Sequence, residues 1–242
     1  NETAAGENFP QRPKTPSTLF REAIGLGTVD LGASNVNKTY GDVSETYVNS
    51  GNLTADVRSQ IKSKNSSASL NNISKTVTGA ASTVKVKIAD LIDALSITPT
   101  TPFAANSYSS SNNLKANTTG YGYSVTYTGG AYGLSLINTS ANVVVEKKTV
   151  TTAAISSVTD AVYGTAKATG AVTLGNDVIT GDLVSASNAA TVKEAVNSTS
   201  GNLKAGDYRQ TVLGGLKSGN SNSDADNYTF KGVTTSTANY HV

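Results

Sequence analysis

Residues 158–165 read VTDAVYGT and residues 35–42 read NVNKTYGD, so one Tyr-Gly motif occurs twice with similar residues before it. The tetrapeptide Asn-Leu-Lys-Ala at residues 113–116 is found again at residues 202–205. Both pairs occur in the same order along the chain. This pattern is typical of a duplicated structural unit.

A third pair closes the repeat, because TSANV at residues 139–143 resembles STANY at residues 236–240. Three matches in one order predict two tandem modules, the first over residues 28–148 and the second over residues 149–242. Residues 1–27 contain three of the five prolines. That segment is predicted to form a linker or an arm, since proline favours extended backbone.

The first module is the longer of the two. Tyr40 and Tyr163 are 123 residues apart, whereas Asn113 and Asn202 are 89 residues apart. The first copy therefore carries about 34 additional residues, which we place around residues 60–110. Because loops on a rigid scaffold often carry recognition, this insertion is a candidate for a specialised binding surface.

The composition of the 242 residues predicts thin β-rich cores. Apolar residues make up 37% and aromatic residues 6% of the chain. Most of the remainder is Ser, Thr, Asn, Gly and Ala, which suit half-exposed strands and turns. Charged residues amount to 15% with a net charge of +2, so no basic surface for nucleic acid is predicted. No apolar stretch reaches the roughly 18 residues that would predict membrane insertion.

The periodicity of the sequence predicts a mostly β fold with one short helix in each module. A β-grasp-like arrangement accommodates a helix between two groups of strands; the alternative is an immunoglobulin-like sandwich, in which the helix is a loop insertion. The apolar spacing i, i+3, i+4 and i+7 predicts a helix over residues 88–95, with a counterpart over residues 189–196. Strands are predicted over residues 44–50, 83–87, 121–127, 132–137, 141–148, 208–213 and 227–233.

The sequence KTYGD at residues 38–42, a Thr/Gly/Asn-rich body and a late Asn227-Tyr228-Thr229 resemble the YGX type of MBG (mostly β, glycine-rich) modules. Such modules occur in tandem in large secreted adhesins of Gram-negative bacteria, including filamentous-haemagglutinin-like exoproteins exported by two-partner secretion. The first copy departs from the pattern, because it has AYGL at residues 131–134 instead of a clear Asn-Tyr-Thr.

The resemblance implies a secreted or cell-surface location and a role in cell adhesion and virulence. It also implies two kinds of partner, namely neighbouring modules of a longer exoprotein and a glycan or protein on the host-cell surface. The alternative is a structural domain of a surface-layer protein, which would share the cysteine-free, Thr/Asn/Ala-rich composition.

The Tyr-Gly pairs are interpreted as structural motifs. A tyrosine ring packs beside a strand end with its hydroxyl at the rim, and the following glycine permits a positive φ or a close backbone approach. Tyr40 and Tyr163 are therefore predicted to be core and turn residues, and Gly41 and Gly164 to permit those turns. Asn227 and Tyr228 complete the set of motif residues.

Four tyrosines in or just after the insertion are candidates for ligand binding. Their rings could stack on a sugar or on a host protein, although packing between strands explains them equally well. The candidates are Tyr108, Tyr121, Tyr123 and Tyr127.

The sequence offers little for catalysis or metal binding, and we predict neither an enzyme nor a cofactor. His241 is the single histidine and cysteine is absent, so the usual nucleophile–histidine pairs and zinc sites are excluded by count. The oxygen-rich residues 220–226 could bind Ca²⁺ weakly, but the preferred interpretation is a solvated loop. No metal site is therefore predicted.

Eight asparagines stand in the Asn-X-Ser/Thr pattern that accepts N-linked glycans. A chain so rich in Asn, Ser and Thr also produces this pattern by chance, so glycosylation is kept as a hypothesis. The eight are Asn37, Asn52, Asn65, Asn72, Asn117, Asn138, Asn197 and Asn227.

Overall fold

The computed structural model describes residues 27–65, 72–76, 83–87, 91–100, 103, 105–127 and 134–242. Across these residues the chain is mostly β, as predicted; α1 (Asn52–Lys64) is the α-helix described over its whole length, and Leu91 and Ile92 are also helical. The strands of the N-terminal part are β1 (Gly27–Asp30), β2 (Val36–Thr39), β3 (Asn72–Thr76), β4 (Thr83–Lys87), β5 (Leu95–Pro99), β6 (Asn117–Tyr127), β7 (Leu134–Ile137) and β8 (Ser140–Glu146).

The remaining strands are shorter. They are β9 (Lys148–Thr149), β10 (Ala154–Ile155), β11 (Val172–Thr173), β12 (Val184–Ala186), β13 (Thr191–Val192), β14 (Asp207–Tyr208), β15 (Gln210–Leu213), β16 (Leu216–Ser218), β17 (Tyr228–Thr229), β18 (Gly232–Thr234) and β19 (Tyr240–His241). Single 3₁₀ turns occur at Ala105–Ser107 and Asp224–Asn227.

The strands form one four-stranded sheet in the order β2-β8-β6-β5 and one three-stranded sheet in the order β13-β15-β18. Six two-stranded ladders account for the other strands of the described residues: β1-β7, β3-β4, β9-β17, β10-β11, β12-β16 and β14-β19. The pairs β1-β7, β2-β8 and β9-β17 are parallel. Strands predicted over residues 83–87 and 121–127 are confirmed, whereas the strand predicted over residues 208–213 is divided at Arg209 between β14 and β15.

The chain divides into two compact units. One comprises the described residues within Asn1–Ser34, Leu53–Thr98 and Tyr123–Ala141, and the other comprises those within Asn35–Asn52, Pro99–Gly122 and Asn142–Val242. These bounds are drawn from several chain segments and are not those of the two modules inferred from the repeat. Residues 1–26 of the predicted linker lie outside the described residues, and Gly27 begins β1.

The first unit contains α1. This helix buries Leu53, Val57 and Ile61, which are spaced at i, i+4 and i+8 and so share one face. The Arg58 guanidinium donates to the Leu95 carbonyl at 2.8 Å, which joins the helix to the start of β5. Buried apolar side chains of this unit are Leu31, Leu53, Val57, Ile61, Leu91, Ile92, Leu95, Tyr123 and Val125.

The second unit contains β2 and the last five residues of β8. These strands pair in parallel from Val36 opposite Val143 to Thr39 opposite Glu146. Three consecutive valines of β8, Val143, Val144 and Val145, are buried, so both faces of this strand are covered. Buried apolar side chains of this unit are Val36, Tyr40, Val43, Tyr47, Leu114, Val143, Val144, Val145, Val150, Ile155, Leu174, Ala190, Val212, Ala225, Tyr228, Phe230 and Tyr240.

The prediction of one helix in each module is wrong for the second. Residues 149–242 are all described and contain no α-helix. Where a helix was predicted over residues 189–196, the chain forms β13 and a turn with Glu194 at a φ of +54°. Thr191 and Val192 are β-branched, which favours a strand over a helix, and Val196 is half exposed.

The first predicted helix and the strand over residues 44–50 also differ from the structure. Residues 88–90 lie outside the described residues, Leu91 and Ile92 are helical and buried, and Leu95 begins a strand. Residues 44–50 form turns leading into α1, which was not predicted. Among the described residues, no helix is long and apolar enough to cross a membrane.

Candidate functional site

Both Tyr-Gly motifs form the same turn. In each, the N–H of the residue after the glycine donates to the carbonyl of the residue before the tyrosine at 2.9 Å. Gly41 has a φ of +100° and Gly164 a φ of +86°. Side chains rarely adopt this conformation, so glycine is required at both positions. The prediction that these glycines are turn residues is confirmed.

The first turn is held against a serine-rich loop. The Tyr40 hydroxyl hydrogen-bonds with the Ser109 hydroxyl and lies 3.2 Å from Ser111 Oγ. The Asn113 side-chain amide donates to Ser111 Oγ at 2.8 Å. We call the Tyr40–Gly41 turn together with residues 109–113 the first corner.

The second turn makes the same set of contacts. The Tyr163 hydroxyl lies 3.1 Å from Ser198 Oγ and 3.3 Å from Ser200 Oγ. The Asn202 side-chain amide donates to Ser200 Oγ at 3.3 Å. We call the Tyr163–Gly164 turn together with residues 198–202 the second corner.

The backbones of the two serine loops also agree. In both, the N–H of the first serine donates to the carbonyl of the asparagine four residues later at 2.8 Å. The residue before that asparagine has a positive φ, +58° at Asn112 and +83° at Gly201. The two corners are therefore equivalent in side-chain and backbone contacts.

The corners differ in exposure. The Tyr40 side chain is 1% exposed, and its ring meets the Tyr228 ring edge-on with centroids 5.2 Å apart. The Tyr163 side chain is 51% exposed. Both tyrosines lie in turns, as predicted, but only Tyr40 is also a core residue. Among the described residues, no ring packs on Tyr163 as Tyr228 packs on Tyr40.

The first corner is closed by the carboxylate of Asp182, which is 9% exposed. Its Oδ2 atom accepts the hydroxyl of Tyr40 at 2.7 Å and that of Tyr228 at 2.5 Å. Its Oδ1 atom accepts the Ser111 N–H at 3.1 Å. Three donors converge on one buried charge, which offsets the cost of removing it from water.

A second carboxylate, Asp224, is completely buried beside the same loop. Its Oδ1 atom accepts the Ser110 N–H at 3.1 Å, and its Oδ2 atom accepts the Leu183 N–H at 3.0 Å. The Asn220 side-chain amide donates to Oδ2 at 3.3 Å and to the Ser110 hydroxyl at 2.8 Å. We call Asp182 and Asp224 the carboxylate pair.

The carboxylate pair and its surroundings shift several pKa values. Burial, with the Asp182 carboxylate nearby, raises the pKa of Tyr40 and of Tyr228 well above the ordinary 10.0. Burial opposes ionisation of Asp224, but hydrogen bonds from Leu183, Ser110 and Asn220 outweigh it and hold its pKa below the ordinary 3.8. At the exposed second corner, hydrogen bonds with the Ser198 and Ser200 hydroxyls lower the pKa of Tyr163.

Asn227 and Tyr228 have structural roles beside the carboxylate pair. The Asn227 side chain is 1% exposed; its oxygen accepts the Ala116 N–H at 2.8 Å, and its amide donates to the Asp224 carbonyl at 3.2 Å. The Tyr228 hydroxyl also accepts the Ile179 N–H at 2.9 Å. The late motif therefore holds the carboxylate-bearing segments in place.

The four tyrosines predicted to bind a ligand are divided between the two units. Tyr123 is fully buried and its hydroxyl donates to the Ser34 carbonyl at 2.7 Å, so its ring cannot stack on an external ligand. The Tyr121 hydroxyl donates to the Lys115 carbonyl, and its ring packs edge-on against Phe103. Tyr108 and Tyr127 are half-buried. Strand packing, the alternative given above, accounts for Tyr121 and Tyr123.

Two of the eight candidate glycosylation sites are buried. The Asn65 and Asn227 side chains are 6% and 1% exposed and donate to backbone carbonyls. A glycan on either amide nitrogen is incompatible with this packing. Asn37, Asn52, Asn138 and Asn197 are exposed, Asn117 is half-buried, and the side chain of Asn72 lies outside the described residues.

The oxygen-rich loop over residues 220–226 is solvated only in part, because Ser221, Asn222, Ser223 and Asp226 are exposed. Asp224 is buried within it, and both carboxylate oxygens accept hydrogen bonds from protein donors. Among the described residues, no group of three or more His, Asp or Glu side chains could hold a metal ion. His241 Nδ1 lies 2.7 Å from Asp207 Oδ1 at the surface.

Sequence reasoning missed Asp182 and the serines of both corners. One signal was present, because Ser-X-Ser-X-Asn precedes Leu-Lys-Ala in both copies, at residues 109–113 and 198–202. Nothing comparable marks Asp182. Comparisons with protein-family models, with curated proteins and with solved structures find no match. The resemblance to YGX-type modules stays a prediction.

Proposed function

We propose that this chain is a force-resisting spacer within a secreted or cell-surface bacterial adhesin, built from two copies of one β-rich module in tandem. The cysteine-free, Thr/Asn/Ser-rich composition, the three repeated motifs and the resemblance to YGX-type modules support the adhesin assignment. The equivalent contacts of the two corners support the duplication.

The observation that carries the spacer role is the parallel pairing of β2 with β8. β2 lies near the start of the first copy, after β1, and β8 lies near its end; the two strands pair over four residues in register. Tension applied along the chain pulls the start of β2 and the end of β8 in opposite directions. Because the strands are parallel, this force loads their hydrogen bonds together in shear instead of opening them one at a time.

The second copy pairs its opening and closing segments in the same sense. The Val158 N–H donates to the Asn239 carbonyl at 3.2 Å, and the Ala161 N–H donates to the His241 carbonyl at 2.8 Å. Both positions advance together, as in a parallel pair. Tension along the chain would therefore load both copies in the same way, as a spacer requires.

A spacer role is favoured over a tip role because two of the four candidate binding tyrosines are used within the fold. The Tyr123 ring is buried, and the Tyr121 hydroxyl and ring both have partners in the protein. The finer fold of each module stays a proposal as well. We favour a β module in which a helix is optional, since α1 lies in the longer first copy and residues 149–242 contain no α-helix.

Single-molecule stretching of the chain between handles at its two ends tests the spacer role. The Tyr40 N–H donates to the Glu146 carbonyl at the end of β8, whereas the Thr39 N–H donates to Asp42 Oδ2. Because alternate residues of a strand face the same neighbour, the Lys38 N–H also faces β8. Lys38→Pro removes that donor and should lower the unfolding force. Lys38→Ala keeps the donor and should leave the force close to that of the original chain. Equal forces in all three proteins would reject the shear geometry.

Binding of the chain to host cells and to a glycan array tests spacer against tip. We expect no saturable binding by the isolated chain. Saturable binding that is lost with Tyr108→Ala or Tyr127→Ala would favour a tip role instead. Ordered two-dimensional arrays formed by the purified chain would favour the surface-layer alternative.

A further inference from the structure

The second corner has the contacts of the first corner but lacks the partner that buries the first. At the first corner, the hydroxyl of Tyr40 and the N–H groups of Ser110 and Ser111 all donate to the carboxylate pair. The equivalent groups of the second corner are the hydroxyl of Tyr163 and the N–H groups of Thr199 and Ser200. No acceptor within the described residues bonds to those two N–H groups.

The apolar surroundings of the two corners differ in the same way. A Cβ atom added at Gly41 would lie 2.6 Å from Ile179 Cδ1, whereas one added at Gly164 would meet nothing within 4 Å. Val162 is 71% exposed and Val196 is 50% exposed, so apolar surface adjoins Tyr163. A surface pocket of about 270 Å³ lies beside it, lined in part by Val162, Gly164 and Asn202. At the first corner, the carboxylate pair and Ile179 cover the turn, and we call this contact the joint. The equivalent surface of the second corner is uncovered.

We propose that the second corner is a docking surface for a further copy of residues 149–242, whose carboxylate pair would accept hydrogen bonds from Tyr163, Thr199 and Ser200. The proposal rests on the tandem arrangement proposed above, and it is independent of whether the array adheres to cells. In the proposed complex, the second corner would make with the appended copy the contacts that the first corner already makes with Asp182 and Asp224.

The hydrogen-bonding groups and the apolar surface of the second corner favour a further copy of residues 149–242 as its partner. The second corner presents one hydroxyl and two N–H donors, which require acceptors, and its exposed apolar rim suits a side chain such as Ile179. A separate whole chain cannot supply the acceptors directly, because its own Asp182 and Asp224 already accept hydrogen bonds from its first corner. A copy joined in sequence has an unoccupied carboxylate pair, and linkage raises its effective concentration at the corner.

The test is an extended chain in which residues 146–242 are appended after Val242. The match between residues 139–143 and 236–240 places Val242 at the position of Val145, so this junction reproduces the natural spacing. Amide hydrogen exchange is measured at Thr199 and Ser200 in the original and extended chains. We expect exchange at both amides to slow by about tenfold or more in the extended chain, because opening the joint would be required first.

Two matched variants identify the contact. In the extended chain, the substitutions equivalent to Asp182→Asn and Asp224→Asn within the appended copy should restore fast exchange at Thr199 and Ser200. Tyr163→Phe should lower the denaturation midpoint of the extended chain and leave that of the original chain nearly unchanged. Unchanged exchange at both amides, with the appended copy folded, would overturn the proposal.

Folding of the appended copy is checked by slow exchange at its own Ser187 amide, which bonds to the Gly215 carbonyl within one copy and does not depend on Asp182 or Asp224. If that amide exchanges fast, the joint is tested in trans. Tyr40→Phe combined with Ser110→Pro withdraws two donors from the carboxylate pair of one chain. Mixing this variant with the original chain should shift the Thr199 and Ser200 amide signals of the original. No shift at millimolar concentration would overturn the proposal.

A further result would overturn the docking proposal: the unextended chain self-associates in a concentration-dependent way, and Tyr163→Phe abolishes that association. The second corner would then bind a second whole chain. The stretching and binding experiments described above use the unextended chain. If the stretching and binding experiments give the expected results but exchange at Thr199 and Ser200 is not slowed, the docking proposal alone is rejected. If exchange is slowed but the stretching experiment fails, the spacer role alone is rejected.

Discussion

The Tyr40 hydroxyl donates a 2.7 Å hydrogen bond to Asp182 Oδ2, and the two residues are 142 positions apart in the sequence. A buried phenol therefore faces a buried carboxylate that also accepts the Tyr228 hydroxyl. Hydrogen bonds to buried charged groups contribute more than neutral ones, about 1.5–3 kcal/mol each. This pair links the first corner to the segment around Asp182.

Tyr40→Phe should lower the free energy of unfolding by about 1.5–3 kcal/mol, because Asp182 loses one of its donors inside the protein. Tyr163→Phe is the matched control and should change it by less than about 0.5 kcal/mol, since Tyr163 is half exposed. Urea unfolding followed by circular dichroism measures both. Equal losses for the two variants would contradict the difference in burial described here.

Asp224→Asn should lower the free energy of unfolding by about 2–4 kcal/mol. The new amide group must face an N–H donor where the carboxylate accepted one, which leaves a buried group unsatisfied. Asp226→Asn, two residues later, should have little effect because Asp226 is exposed. Guanidinium unfolding of the two variants checks this, and a stable Asp224→Asn protein would show that the carboxylate charge is dispensable.

The stability of the fold should fall in acid. Hydrogen bonds hold the pKa of Asp224 below the ordinary 3.8, so its contribution is fully present above that value and is lost as the pH falls through the lower folded pKa. One such group changes the stability by up to about 1.4 kcal/mol per pH unit in that window. Thermal melts from pH 5 to pH 2 measure the slope, which Asp224→Asn should reduce. An unchanged slope would assign acid sensitivity to other carboxylates.

Gly41→Ala should destabilise the protein more than Gly164→Ala. Both residues have a positive φ, which costs a side chain about 1 kcal/mol. Only at Gly41 would the added Cβ also collide with Ile179, whose Cδ1 would be 2.6 Å away. The difference between the two denaturation midpoints isolates that collision. A larger effect at Gly164 would contradict the open surroundings of the second corner.

If native material carries N-linked glycans, they should be confined to accessible asparagines such as Asn37, Asn52 and Asn197. Asn65 and Asn227 should be unmodified, because their amide groups are buried and hydrogen-bonded. Intact mass followed by peptide mapping of native protein measures the occupancy of each site. A mass that matches the bare sequence would remove the glycosylation hypothesis altogether.

Local features of this fold could be predicted from the sequence because their causes are local. A glycine after tyrosine indicated a positive φ at Gly41 and Gly164, and both are found. The alternating residues 83–87 and 121–127 are strands, as a two-residue period requires. The helix α1 was missed because only three apolar side chains in thirteen residues mark its buried face.

The burial of the two corners could not be predicted, because it depends on partners distant in the chain. Tyr40 and Tyr163 stand in similar sequences and in the same turn, yet one is buried and the other half exposed. The difference comes from Asp182, Asp224 and Tyr228, which contact the first corner only. An acidic residue in a polar stretch looks solvated until its donors are known.

The strands between residues 149 and 242 are each only two to four residues long. Strands this short offer few consecutive unpaired N–H and C=O groups to a neighbouring chain. Cross-β aggregation requires segments of about six residues that pair along their whole length. Copies of this part of the chain can therefore be crowded side by side at high local density with little tendency to form amyloid.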